Sequence, residues 1–179
     1  HQTQVPDSRF TAYTEWNVSQ VQAFFVAQNS FLQRFYLWGQ GDRGFYDANN
    51  NQIYDTGDTK YCADGTPTCP TSGQKTRADQ AFINAATKNG QRVNPKLLLG
   101  QAQKERSLIS SAAMPSTAVM NDAFGCGSQY PTFQKQLDCG ASTLANRFAG
   151  APSGPYFYKT TESIGPISHW VNSSGYQNI

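Results

Sequence analysis

The sequence predicts a mainly α, single-domain protein with one ordered polar loop set into it, and three observations carry that expectation. Apolar residues recur at three- and four-residue steps in four separate stretches. The 179 residues suffice for one real core and call for no second domain. A stretch from 39 to 73, rich in Asp, Asn, Gly, Cys and Pro, interrupts the helical pattern. The expected organisation is one domain over 1–179 in which 39–73 is an insertion.

Taken in order, 1–14 is polar, holds Pro6, and reads as an extended arm. Val18, Val21, Phe24 and Phe25 then fall at helical steps, which predicts a helix over 19–28 with Asn17 or Thr14 as its cap. Asn29 and Ser30 break it, and 31–38 is open between a further turn and a strand of aromatic residues covering the core. Ala78, Phe82, Ile83, Ala85 and Ala86 form a stripe that predicts a helix over 75–89, closed by Gly90. A third helix is expected within 93–111, with Asn94 as N-cap and Pro95 at its first position. After an aperiodic 112–121, the spacing of Phe133, Leu137, Ala141, Leu144, Ala145 and Phe148 predicts a last helix over 133–148. The tail from 155 mixes aromatics with polar breaks and predicts no element.

Glu105 breaks the pattern of the third helix. On a 3.6-residue period Leu98, Ala102, Leu108 and Ile109 share one face, and Glu105 falls on that face. None of its three- and four-residue neighbours is a cation. A carboxyl group turned toward apolar surroundings is an arrangement that general acid catalysis uses. The competing reading is a buried glutamate held by hydrogen bonds or by an arginine from elsewhere.

The polar loop contains D-A-N-N-N-Q-I-Y-D-T-G-D. With Asp47 as position one, side-chain oxygens come from Asp47, Asn49, Asn51, Asp55 and Asp58, and Ile53 stands where a backbone carbonyl is the usual donor. That is the spacing of a twelve-residue calcium loop, and a structural Ca2+ is expected there. Gln52 replaces the usual glycine at position six, and Asp58 the usual glutamate at position twelve. The alternative is an Asn- and Asp-rich surface turn without metal.

Four cysteines stand at 62, 69, 126 and 139. Of the three possible connectivities, the local one, Cys62 with Cys69 and Cys126 with Cys139, is preferred, and it implies oxidation outside the cytosol. Two histidines and no C-x2-C spacing argue against zinc. The formal net charge of +2, without basic clusters, gives nucleic-acid binding no support. No apolar run is long enough to span a bilayer, so a membrane partner is not expected. The chain begins at His1, and a processed, secreted monomer is expected.

The segment N-P-K-L-L-L-G-Q-A-Q-K-E-R-S-L-I, with the helix before it, resembles the lysozyme-like superfamily of soluble lytic transglycosylases and goose-type lysozymes. It is closest to secreted bacterial domains with an N-P-x-x-L-L-x-x-x-Q-K-E-x-S-L-I pattern. Val21-Gln22-Ala23-Phe24-Phe25 and Ala123-Phe124-Gly125-Cys126 match two further segments of those domains, in the same order. Arg106 stands where serine is commoner, and the G-L-M-Q that often follows the glutamate is missing.

The resemblance implies a lysozyme-like helical domain that cleaves β-1,4 bonds of peptidoglycan, as a muramidase or a lytic transglycosylase, with Glu105 as general acid and base. A hydrolase would need a partner carboxylate, for which Asp122 comes first and Glu162 second. A transglycosylase needs none, because the sugar's own substituent closes the ring. Tyr130, Tyr156 and Tyr158 are candidates to stack on sugar faces. Chitin or chitosan is the alternative substrate, and a non-catalytic, calcium-stabilised glycan-binding module the alternative class.

Overall fold

The computed structural model describes residues 10–149. Helix α1 (Val18–Ala27) starts at Asn17, whose side chain accepts from Gln20 N at 3.0 Å while Gln20 Oε1 accepts from Asn17 N at 2.9 Å, a reciprocal capping box. A short 3-10 turn (Phe31–Arg34) leads into β1 (Phe35–Trp38), followed by β2 (Arg43–Tyr46), β3 (Thr59–Cys62) and β4 (Lys75–Arg77). Helix α2 (Ala78–Thr87), a 3-10 turn (Lys88–Gly90), α3 (Pro95–Arg106), the single turn α4 (Thr117–Met120) and α5 (Phe133–Ala149) complete the order.

The expectation of a mainly α, lysozyme-like helical domain is therefore corrected: the chain is a mixed α and β fold. Its four strands form one antiparallel sheet in the order β3-β2-β1-β4. Two of them, β2 and β3, come from 39–73, which was expected to be all loop, and β4 occupies 75–77, which was expected to begin a helix. Of the two readings open for 31–38, Phe31–Arg34 takes the turn and Phe35–Trp38 the strand, which periodicity alone does not single out. β1 is Phe-Tyr-Leu-Trp and buried at every position, so it shows no alternation of apolar and polar residues.

Both faces of β1 are covered, but by different things. Phe35 and Leu37 join the main core with Phe25, Phe31, Tyr61, Phe82, Leu98 and Phe133. Tyr36 and Trp38 point the other way and stack on Phe45 of β2, with ring centroids 5.3 and 4.9 Å apart. Tyr54, from the polar loop, closes this second cluster edge-on against Trp38 and Phe45 at 5.7 Å each. Gly44 of β2 lets the strands meet, since a Cβ there would lie 2.2 Å from the Tyr36 carbonyl oxygen.

On the main side, α2 lays its alanine stripe, Ala78, Ala81, Ala85 and Ala86, into the core, and Phe82 bridges Phe25 and Phe124 at 5.6 and 6.0 Å. The buried Tyr61 hydroxyl donates to Asn121 Oδ1 at 2.7 Å and accepts from Phe133 N at 2.8 Å, tying β3 to α5. Burial raises the Tyr61 phenol well above its ordinary pKa. The local disulfides form as expected, Cys62 with Cys69 and Cys126 with Cys139. Among the described residues no helix is long and apolar enough to cross a membrane. Both features are compatible with an extracellular protein.

Candidate functional site

Helix α3 starts as its sequence predicts: Asn94 accepts from Lys96 N at 3.0 Å, and Pro95 takes the first position. It ends sooner. Ser107 adopts a left-handed conformation, φ 54° and ψ 30°, and its N–H closes the last turn onto Gln103 O at 2.9 Å. Leu108 and Ile109 are buried, but beyond the helix, so their phase no longer fixes where Glu105 points. Glu105 is on the last turn with its side chain 31% exposed, at the edge of the core rather than inside it. Gln103 holds the turn after it, accepting from Ser110 N and donating to Ser110 Oγ, both at 3.0 Å.

One backbone segment closes up on Glu105. Gly125, at φ +66°, approaches so closely that a Cβ there would lie 2.9 Å from Glu105 Oε2 and 3.3 Å from its Cδ. The turn that presents Gly125 is held from several sides. Fully buried Gln136 accepts from Phe124 N and Cys126 N, both at 3.2 Å, and donates to Gly127 O at 3.0 Å and Tyr130 O at 2.9 Å. Gln101 of α3 donates to Phe124 O at 3.3 Å, and the Cys126–Cys139 bridge anchors the turn to α5. No local sequence pattern marked Gln101 or Gln136; their partners are 23 and 6 to 12 residues away.

Among the described residues the charge nearest Glu105 is its neighbour Lys104, 3.6 Å from Oε1. Asp122 belongs to the same turn as Gly125, but its carboxylate is engaged by Arg106, which also donates through Nε to Asp122 O at 3.3 Å. Tyr130 is 37% exposed and lines a groove of about 460 Å³ between α5 and the Lys88–Gly90 turn, a groove whose lining does not include Glu105. Tyr156, Tyr158 and Glu162 lie outside the described residues.

The loop 47–58 is folded around its own oxygens. Buried Asp47 accepts from Asn51 N at 3.1 Å and Gln52 N at 2.6 Å. Asn49 donates to Asp55 Oδ1 at 3.0 Å and Asn51 to Asp55 Oδ2 at 2.7 Å, while Asp58 accepts from Ala48 N at 2.9 Å and Asp55 N at 3.0 Å. Gln52 takes φ +63°, the left-handed conformation that the usual glycine of position six supplies. Ile53 turns its side chain to solvent, 62% exposed, consistent with a position that serves through its carbonyl. Among the described residues no three His, Cys, Asp or Glu side chains are gathered to hold a metal by themselves. The loop's donors are hard oxygens, with asparagines interleaved between aspartates, a set suited to calcium rather than to zinc.

Comparison with known proteins gives no match. No protein-family model, curated protein or solved structure matches this chain. The likeness to lytic transglycosylases and goose-type lysozymes thus rests on the quoted residues alone.

Proposed function

We propose that this chain is a secreted enzyme that opens β-1,4 bonds of peptidoglycan, with Glu105 as its proton carrier. One observation carries the reading: Glu105 is a partly exposed carboxylate with no hydrogen bond to the core among the described residues, set against a glycine turn fastened by a disulfide and four Gln136 hydrogen bonds. So much fixed structure around a carboxylate whose charge partner among the described residues is only its exposed neighbour Lys104 is the arrangement of a positioned reagent. The resemblance of 94–109 to lytic transglycosylases and goose-type lysozymes supports the same residue in the same role.

In this scheme the Glu105 proton passes to the glycosidic oxygen as the C1–O bond breaks. The sugar's own hydroxyl or acetamido group then attacks C1, and the Glu105 carboxylate takes the proton that group releases. The Arg106 pairing of Asp122 favours this single-carboxylate route over one that needs Asp122 free as base or nucleophile. Turbidity of a peptidoglycan suspension, followed for the wild-type chain and Glu105→Gln, tests the assignment. Clearing by the wild type and loss in the variant are expected; equal clearing by both overturns it. Anhydro-sugar ends mark transglycosylation and reducing ends hydrolysis. Turnover of chitooligosaccharides alone would shift the substrate to chitin, and binding without turnover would make the chain a glycan-binding module.

The loop 47–58 completes the reading as a structural calcium site, with Asp47, Asn49, Asn51, Asp55 and Asp58 as side-chain donors and Ile53 through its carbonyl. Its role is stability, because Tyr54 on the same loop seals the aromatic outer face of the sheet. The ion would hold that lid in place.

A further inference from the structure

The groove beside Tyr130 is lined mostly by polar side chains. Its floor is α5 with Asp138, Ser142 and Asn146, and its walls are the Lys88–Gly90 turn and the stretch 129–130. Amide and hydroxyl side chains dominate, and Tyr130 supplies the one exposed aromatic face among them. Gln91 lines the groove and donates to Ser142 Oγ at 2.8 Å, while its own Oε1 is buried beneath the surface without a partner among the described residues. Asn89 forms the rim in the left-handed region, φ +55°, which asparagine adopts more readily than most side-chain-bearing residues.

The charges are uneven. Asp138 is consumed by Lys88, 2.5 Å away, and by Gln134 Nε2 at 2.9 Å. Lys135 has no acidic partner among the described residues, which leaves one net positive charge at the groove. A flat apolar face, several neutral donors and acceptors, and one spare cation suit a sugar that carries a carboxylate. Tyr130 and Gly125 belong to one disulfide-anchored segment, so the groove shares its anchor with the surface facing Glu105.

We infer that this groove is a binding site for acidic saccharide, separate from the Glu105 corner, with Tyr130 as the stacking platform and Lys135 reading the carboxylate. On the proposed reading of Glu105, the site holds a glycan strand apart from the point of cleavage; its occupancy does not depend on Glu105 chemistry.

Calorimetric titration with the N-acetylglucosamine–N-acetylmuramic acid disaccharide and with neutral chitotetraose, on wild type, Tyr130→Ala, Lys135→Glu and Glu105→Gln, tests it. Tyr130→Ala should weaken both ligands about tenfold, the scale of one aromatic contact. Lys135→Glu should weaken the acidic ligand alone, and Glu105→Gln should bind both as the wild type does. Thermal melts establish that each variant is folded before titration. Absence of wild-type binding at millimolar ligand, or wild-type affinity in Tyr130→Ala, overturns the site. Equal weakening of both ligands by Lys135→Glu overturns the acidic preference. Weakening by Glu105→Gln as large as by Tyr130→Ala would move the ligand to the Glu105 corner. A chain without turnover that still gives the Tyr130 pattern would refute the enzyme reading and leave the groove standing.

Discussion

Gly125→Ala separates a carboxylate that is positioned from one that is merely present. A methyl group at 125 would lie 2.9 Å from Glu105 Oε2, against the 3.4 Å at which ordinary contact begins, so the carboxylate must retreat by about 0.5 Å. The retreat is energetically cheap because the carboxylate is the free end of a flexible side chain. The backbone term is larger: alanine at φ +66° costs about 1–2 kcal/mol. For a chain of this size that lowers Tm by roughly 2–8 °C. Activity should fall further than stability, since a displacement of 1 Å can cost about a hundredfold and half of it about tenfold. Gly127→Ala is the control. It has φ +82° and a neighbour at 3.0 Å, but that neighbour is Gln129 Oε1. Both variants should lose similar Tm in a thermal melt, and only Gly125→Ala should lose clearing of peptidoglycan. Wild-type turnover in Gly125→Ala, or an equal loss in Gly127→Ala, would refute the positioning argument.

Three other outcomes follow from the same geometry. Glu105→Gln should change stability by less than about 0.5 kcal/mol while removing turnover by about a hundredfold or more; a Tm drop matching 2 kcal/mol would make Glu105 a structural residue. Calcium at about a hundred times its dissociation constant should add about 2.7 kcal/mol, and chelation should lower Tm and redden Trp38 emission as the Tyr54 lid loosens. An unchanged melt with chelator would leave 47–58 a plain turn. Tyr61→Phe should cost about 1–3 kcal/mol, because it strands the buried Phe133 N–H and Asn121 Oδ1. Since burial raises the Tyr61 phenol, its folded form favours the protonated state, so stability is fully present below about pH 10 and lost above it. Alkaline melts of wild type and Tyr61→Phe should converge in slope only if Tyr61 contributes nothing to that loss.

What the sequence determined by itself is what short-range chemistry determines. Asn94 and Pro95 start α3 because cap and first-turn geometry involve residues two or three apart. The disulfides close over 7 and 13 residues, and the hydrogen bonds within the 47–58 loop span at most ten. The sheet was decided elsewhere. β1 finds β4 some forty residues on; buried at every position, it shows no alternation, which leaves 31–38 open between turn and strand in the sequence, while β2, β3 and β4 are only three or four residues long and too short to show a period. The surroundings of Glu105 were also tertiary. The left-handed Ser107 stops the helix before Leu108, which cancels the apolar face inferred from a longer one. Gly125 then arrives from 20 residues away, because Gln101, Gln136 and the Cys126–Cys139 bridge hold its turn against the end of α3. Periodicity shows which side of a helix is apolar. What stands opposite that side is set by packing between distant segments.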